Sequence, residues 1–204
     1  MMSGMVFRTP DAARTVLTTL AACLAISLGS GCQPATPSED PDADTDSAAL
    51  RVQVVSGAED LDEAARTEIE GSIGDVLSGY VVAAFLGDFP REEFVQSFES
   101  FTSGAARSAA RDIAQLTAAG AQDATSVRAT RLDARISVLS QDQAALGATA
   151  AVSLAFEATM PDGATRPLTL KGRFLLEEDD GDWSVFGYDV AMDDGDVVRA
   201  GSTS

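Results

Sequence analysis

Arg131-Leu132-Asp133-Ala134-Arg135-Ile136-Ser137-Val138 alternates polar with apolar residues without a break. A period of two puts Leu132, Ala134, Ile136 and Val138 on one face of a strand and the polar set on the other. The pattern begins near Ser126 and recurs downstream. Leu146, Ala148, Ala150, Val152, Leu154 and Phe156 make a second apolar row. Asp162-Gly163 supplies a turn into Leu168, Leu170, Phe174 and Leu176, and Asp180-Gly181 turns again into Ser184, Phe186, Tyr188, Val190 and Met192. Four alternating strands joined by short turns predict an antiparallel meander with one buried face.

Upstream of Ser126 the period is helical. A short apolar stretch, Leu50 to Val55, admits a strand. Ser56-Gly57-Ala58-Glu59 then has capping-box spacing, with a hydroxyl and a carboxylate available to the first free amides of a helix. Behind it Leu61, Ala65, Ile69, Ile73, Leu77, Tyr80, Val81 and Ala84 fall on one helix face. Phe94, Phe98 and Phe101 share one side of a second short helix. A third is predicted from about Ser103 to Ala119, with Gly120 as its stop. Helices that precede such a sheet must cover its apolar face. The predicted class is α+β: N-terminal helices packed on a curved four-stranded antiparallel meander, over residues 49–196.

Residues 1–31 have the layout of an export signal. Arg8 and Arg14 make the start basic, and Val16 to Leu28 form an apolar run of about 13 residues, short of the ~20 a spanning helix needs. Leu28-Gly29-Ser30-Gly31-Cys32 resembles the bacterial lipobox, with Gly29 where that pattern usually has Leu. The resemblance implies lipidation of Cys32 and a place on the extracytoplasmic face of the cell membrane. Residues 32–48, rich in Pro, Ser, Thr and Asp, read as a flexible acidic tether, and 197–204 as a disordered tail. Within the tether, Asp42-Ala43-Asp44-Thr45-Asp46 opens like a calcium loop. Ser47 stands where the sharp-turn Gly belongs and Gln53 where the bidentate Glu belongs, so it reads as solvated linker.

Composition excludes several classes of function. The chain carries 32 acidic and 14 basic residues, a net charge of −18, and Lys171 is its only lysine. That is no electrostatic footprint for nucleic acid. There is no His, and the two cysteines, Cys23 and Cys32, both lie in the export region. The domain therefore lacks the groups for His-dependent triads, cysteine nucleophiles and His- or Cys-based zinc sites. No cofactor is implied.

The ending Gly172-Arg173-Phe174-Leu175-Leu176, a Gly-Asp turn, and Trp183-Ser184-Val185-Phe186-Gly187-Tyr188-Asp189-Val190, behind helices, resembles the nuclear-transport-factor-2-like superfamily. That group includes the SnoaL-like cyclases and ketosteroid isomerases. More narrowly the segment is similar to secreted or membrane-attached actinobacterial members. The resemblance spans roughly residues 56–193 and rests on structural motifs, which speak to fold more than to function. It implies a cone-shaped fold with a cavity between helices and sheet. Tyr80, Phe94, Phe98, Phe101, Phe156, Phe174, Phe186 and Tyr188 are then the expected pocket lining, whereas spacing alone makes the Phe94, Phe98 and Phe101 stripe core.

Enzymatic relatives use a carboxylic acid or Tyr in an apolar cavity. Here Tyr188 with Asp189 is the nearest such combination, and no inward Asp or Glu stands in any of the four strands. Glu177 to Asp182 and Asp193 to Asp196 read as solvated turns, or as a shared calcium site should the two loops meet. These observations favour a non-enzymatic cell-surface accessory domain that binds a protein partner or a small hydrophobic ligand. The alternative is an enzyme of ketosteroid-isomerase or polyketide-cyclase type. The resemblance also implies pairing through the sheet, with Arg131, Asp133, Arg135, Thr169, Lys171 and Arg173 as contacts of a homodimer.

Overall fold

A computed structural model describes residues 47–195. The export segment, Cys32, the tether to residue 46 and the tail 197–204 lie outside the described residues, as does the calcium-like Asp42 to Asp46. The architecture is α+β, a five-stranded sheet with one long helix and several short ones over one face. In chain order the strands are β1 (Leu50–Ser56), β2 (Ser126–Gln141), β3 (Ala144–Thr159), β4 (Thr165–Asp179) and β5 (Asp182–Asp193), and they neighbour one another in that same order.

The four expected strands form the meander. The fifth strand, β1, adds to its edge and runs parallel to β2, pairing Val52 with Ala134 and Val54 with Ile136. A parallel pair needs a crossover connection, and the helical segment from 63 to 121 supplies it. At the turn out of β1, Gly57 has φ +79°, and a Cβ there would lie 1.8 Å from the Val138 carbonyl oxygen. Only glycine allows that approach. Ser140 Oγ donates to the Gly57 carbonyl at 2.8 Å and holds the turn on β2.

Helix α1 (Glu63–Val81) starts later than the capping-box reading expects. Ser56 ends the strand, Glu59 accepts from the Gly57 N–H at 3.3 Å, and the N-cap is Asp62, whose carboxylate accepts from the Ala65 N–H at 2.8 Å. Ile69, Ile73, Leu77, Tyr80 and Val81 form its buried stripe, which continues through a π-helical turn (Val82–Leu86) that buries Ala84 and Phe85. By length and composition Glu63–Leu86 could cross a membrane. Its apolar side is instead packed on the sheet, as in the core helix of a soluble domain.

The next two expected helices shorten. Around Phe98 there is one 3₁₀ turn (Val95–Phe98). The predicted third helix breaks into α2 (Ser103–Ala109), α3 (Ile113–Leu116) and a 3₁₀ turn (Ala118–Ala121). Backbone pairing with the sheet edge ends the first of these before α2 begins. Thr102 N–H donates to the Val185 carbonyl at 2.9 Å, and Val185 N–H donates to the Ser100 carbonyl at 3.0 Å. Thr117, with φ −142° and ψ 171°, is extended and separates α3 from the last turn.

Candidate functional site

The expected pocket lining can be followed residue by residue from the inner face of the sheet. Phe156 on β3 and Phe174 on β4 point inward and are buried, as alternation requires. Tyr80 descends from α1 onto them, its ring 5.1 Å from that of Phe174 and 5.7 Å from that of Phe101. Phe85 stacks on Phe156 at 4.2 Å, and Phe98 meets Phe101 edge-on at 5.3 Å. Phe94 is buried with the Arg91 guanidinium 4.7 Å above its ring. Six of the eight expected residues are thus buried in one core, with Tyr188 packed partly buried against it and Phe85 as a member that the helical periodicity had not supplied.

The two tyrosine hydroxyls have separate partners. Tyr80 Oη donates to the Leu116 carbonyl, and complete burial pushes its pKa well above the ordinary tyrosine value. Tyr188, on β5 opposite Phe174, donates at 2.7 Å to Oδ2 of Asp112, at the junction of α2 and α3. Desolvation first, and then the hydrogen bond and charge of Asp112, push its pKa to about 12. The Tyr–carboxylate pair of this domain is therefore Tyr188 with Asp112, a partner 76 positions away that strand parity could not reveal. Asp189 faces outward instead and pairs with Arg173 at 3.0 Å.

Phe186 stands on the opposite side from its expectation. Between the pairs Leu176/Val185 and Leu175/Gly187 the β4–β5 register slips by one, so Val185 opposite Leu176 is buried and Phe186 is turned out at 46% exposure. A bulge puts two residues opposite one and shifts the facing of everything beyond it. The same happens near the β2–β3 hairpin: Leu139 pairs with Gly147 and Ser140 with Ala145, which leaves Leu146 bulged and 48% exposed. Leu146 was also expected inward.

These two bulges assemble a feature on the outer face. Leu139, Leu146, Leu175 and Phe186 line a groove of about 480 Å³, with Ser137, Thr149 and Glu177 at its margins. Adjacent apolar pairs carry the sequence signal for it: Val138-Leu139, Leu175-Leu176 and Val185-Phe186 each give one residue to either face. Farther along the same face, Arg131 is ion-paired with Asp133, Arg128 with Glu157 at 2.7 Å and Arg173 with Asp189, while Lys171 stands beside Ala191. Thr149, Ala151, Ser153 and Ala155 make the centre of the face flat.

The two acidic turns do not meet. Asp179 pairs with Asp182 at one end of the β4–β5 ladder, whereas Asp193 pairs with Thr169 at the other, and Asp194 is bridged to Arg166 at 3.2 Å. A cation shared between them is ruled out by the length of the strands. Among the described residues no group of three His, Cys, Asp or Glu side chains converges to hold a metal ion. No family model, no curated protein and no solved structure matches the chain.

Proposed function

We propose that this chain is a lipid-anchored, extracytoplasmic accessory protein of the nuclear-transport-factor-2-like type, which acts by binding a protein partner through the outer face of its sheet. The observation that carries this reading is the exchange of faces at the bulges. Aromatic rings that could have lined an inner pocket pack on one another, and Leu146 and Phe186 are turned out beside Leu139 and Leu175. Exposed apolar patches of this kind mark contact surfaces. The mixed charges beside it, Arg131, Asp133, Arg135, Lys171, Arg173 and Asp189, suit a second copy of the chain equally, and a homodimer is one form that partner takes. The isomerase or cyclase alternative draws less support, because its reaction needs a free acid in an apolar cavity. The candidate acid, Asp112, is committed to the Tyr188 hydroxyl. Attachment through Cys32 to the membrane rests on the lipobox-like Leu28 to Cys32.

Two measurements test the reading. A photo-cross-linking amino acid placed at Phe186 in the intact lipoprotein should give a discrete adduct, with a partner or with itself, that the same group at Val82 on the helical side does not give. Equal or absent adducts at both positions would remove the outer face as the working surface. Labelled palmitate should enter the protein and be lost in Cys32→Ala; retention of label would remove the anchor.

A further inference from the structure

The only tryptophan of the chain, Trp183, lines a second groove, between α1 and the tips of the β2–β3 and β4–β5 hairpins. Its volume is about 220 Å³, below the ~300–1,000 Å³ of pockets that take drug-sized ligands. Ala65 and Ile69 on α1, with Leu61 just before it, give the groove an apolar floor. Glu68 on the helix and Glu178 at the hairpin tip supply its charge. The Glu178 carboxylate also accepts from the Gly181 N–H at 2.6 Å, which fixes it at the rim.

No Lys or Arg lines this groove. Arg66, the one basic residue of α1, lines a different groove with Ser56 and Glu59. The neighbouring turns add Asp142, Asp179, Asp180 and Asp182, so the local field is negative with no cation of the protein inside it. We propose that this groove binds a small organic ammonium ion. An alkylammonium group suits this mixed lining: the carboxylates meet its charge, the leucine and isoleucine floor its carbon, and an indole is the ring that attracts a cation best. A hard divalent ion would use only the carboxylates, and it demands about six or more oxygen ligands. An inorganic monovalent ion gains nothing from the apolar floor.

Because Trp183 is the sole tryptophan, its emission reports on this groove alone. The full chain is titrated with choline chloride at constant ionic strength, with sodium chloride and the uncharged isostere 3,3-dimethylbutan-1-ol as parallel series. A saturable change in emission with choline, and none with either control, is the expected result. Glu68→Gln should weaken half-saturation at least threefold, and the double variant Glu68→Gln/Glu178→Gln at least tenfold. Glu68 is exposed on a helix surface, so its substitution leaves folding intact. The proposal is overturned by an emission change that grows linearly, that sodium chloride or the neutral isostere reproduces, or that the double variant leaves unaltered.

Discussion

Phe174 and Phe186 lie on adjacent strands, β4 and β5, and Phe174 pairs with Tyr188, two residues past Phe186. One is wholly buried among Tyr80 and Phe101; the other is nearly half exposed beside Leu146. Alternation alone would have placed both inside. A single extra residue on β5 separates them, and it converts a ring of the core into a ring of the surface. The inner face is thus defined by packing, the outer face by what the bulges eject onto it.

Truncating each ring measures how different the faces are. Phe174→Ala removes a fully buried ring and leaves a cavity that rigid neighbours fill only in part, at a cost of about 3–5 kcal/mol. Phe186→Ala should cost about 1 kcal/mol or less, since half-exposed side chains away from caps and networks contribute little. Urea unfolding of both variants at unchanged slope checks this. Equal losses would mean that Phe186 is covered in the protein as it exists in solution, itself a sign of an occupied outer face.

The glycines sharpen the contrast from the backbone side. Gly172, in the middle of β4, has φ +141°, and a Cβ there would meet the Asp189 carbonyl oxygen at 2.1 Å. Gly172→Ala should therefore destabilise by roughly 2 kcal/mol, the range of a residue forced into a strained conformation. Gly71, on α1, has nothing within 4 Å of the same position. Gly71→Ala should stabilise by about 0.5–1 kcal/mol, because alanine loses less entropy in a helix. A thermal scan in which both substitutions move the midpoint in one direction would contradict this placement.

Much of the fold is legible in the residues themselves. A polar–apolar period of two is a local property; Leu132 to Val138 carries it in full, and Val152 to Phe156 and Leu168 to Leu176 carry it apart from Ala155, Gly172 and Leu175. The stripe from Ile69 to Ala84 is equally local. What the sequence could not disclose depends on contacts between distant segments. β1 is too short to declare its direction, and its parallel pairing follows from the helical crossover. The bulges that turn out Leu146 and Phe186 depend on register with Leu139 and Leu176 across the ladder. The second expected helix is cut to one turn before residues 100–102, which pair with Val185, a tertiary contact that outweighs local helix preference. For the same reason Asp112, one residue before α3, could not be matched to Tyr188.

That last pair yields a comparably small effect, and the one most specific to its chemistry. Tyr188 belongs to the inner face of β5 but reaches its rim, where its neutral hydroxyl donates to the Asp112 carboxylate. Tyr188→Phe keeps the ring beside Phe101 and removes one hydrogen bond to a charged, partly exposed acceptor, which should cost about 1 kcal/mol at pH 7. The sign of the pH dependence follows from linkage. An unfolded tyrosine loses its proton near pH 10.0, whereas the folded one holds it to about 12. The contribution of Tyr188 is therefore complete below pH 10 and is lost as pH rises from 10 to 12, because the unfolded state releases its proton first. Burial raises the pKa of Tyr80 as well, so the parent protein and the variant share that part of any alkaline loss. The stability difference between parent and Tyr188→Phe should hold constant from pH 7 to 9 and close between 10 and 12. A difference that persists unchanged through pH 12 would mean the phenol proton is not what holds β5 to the α2–α3 junction.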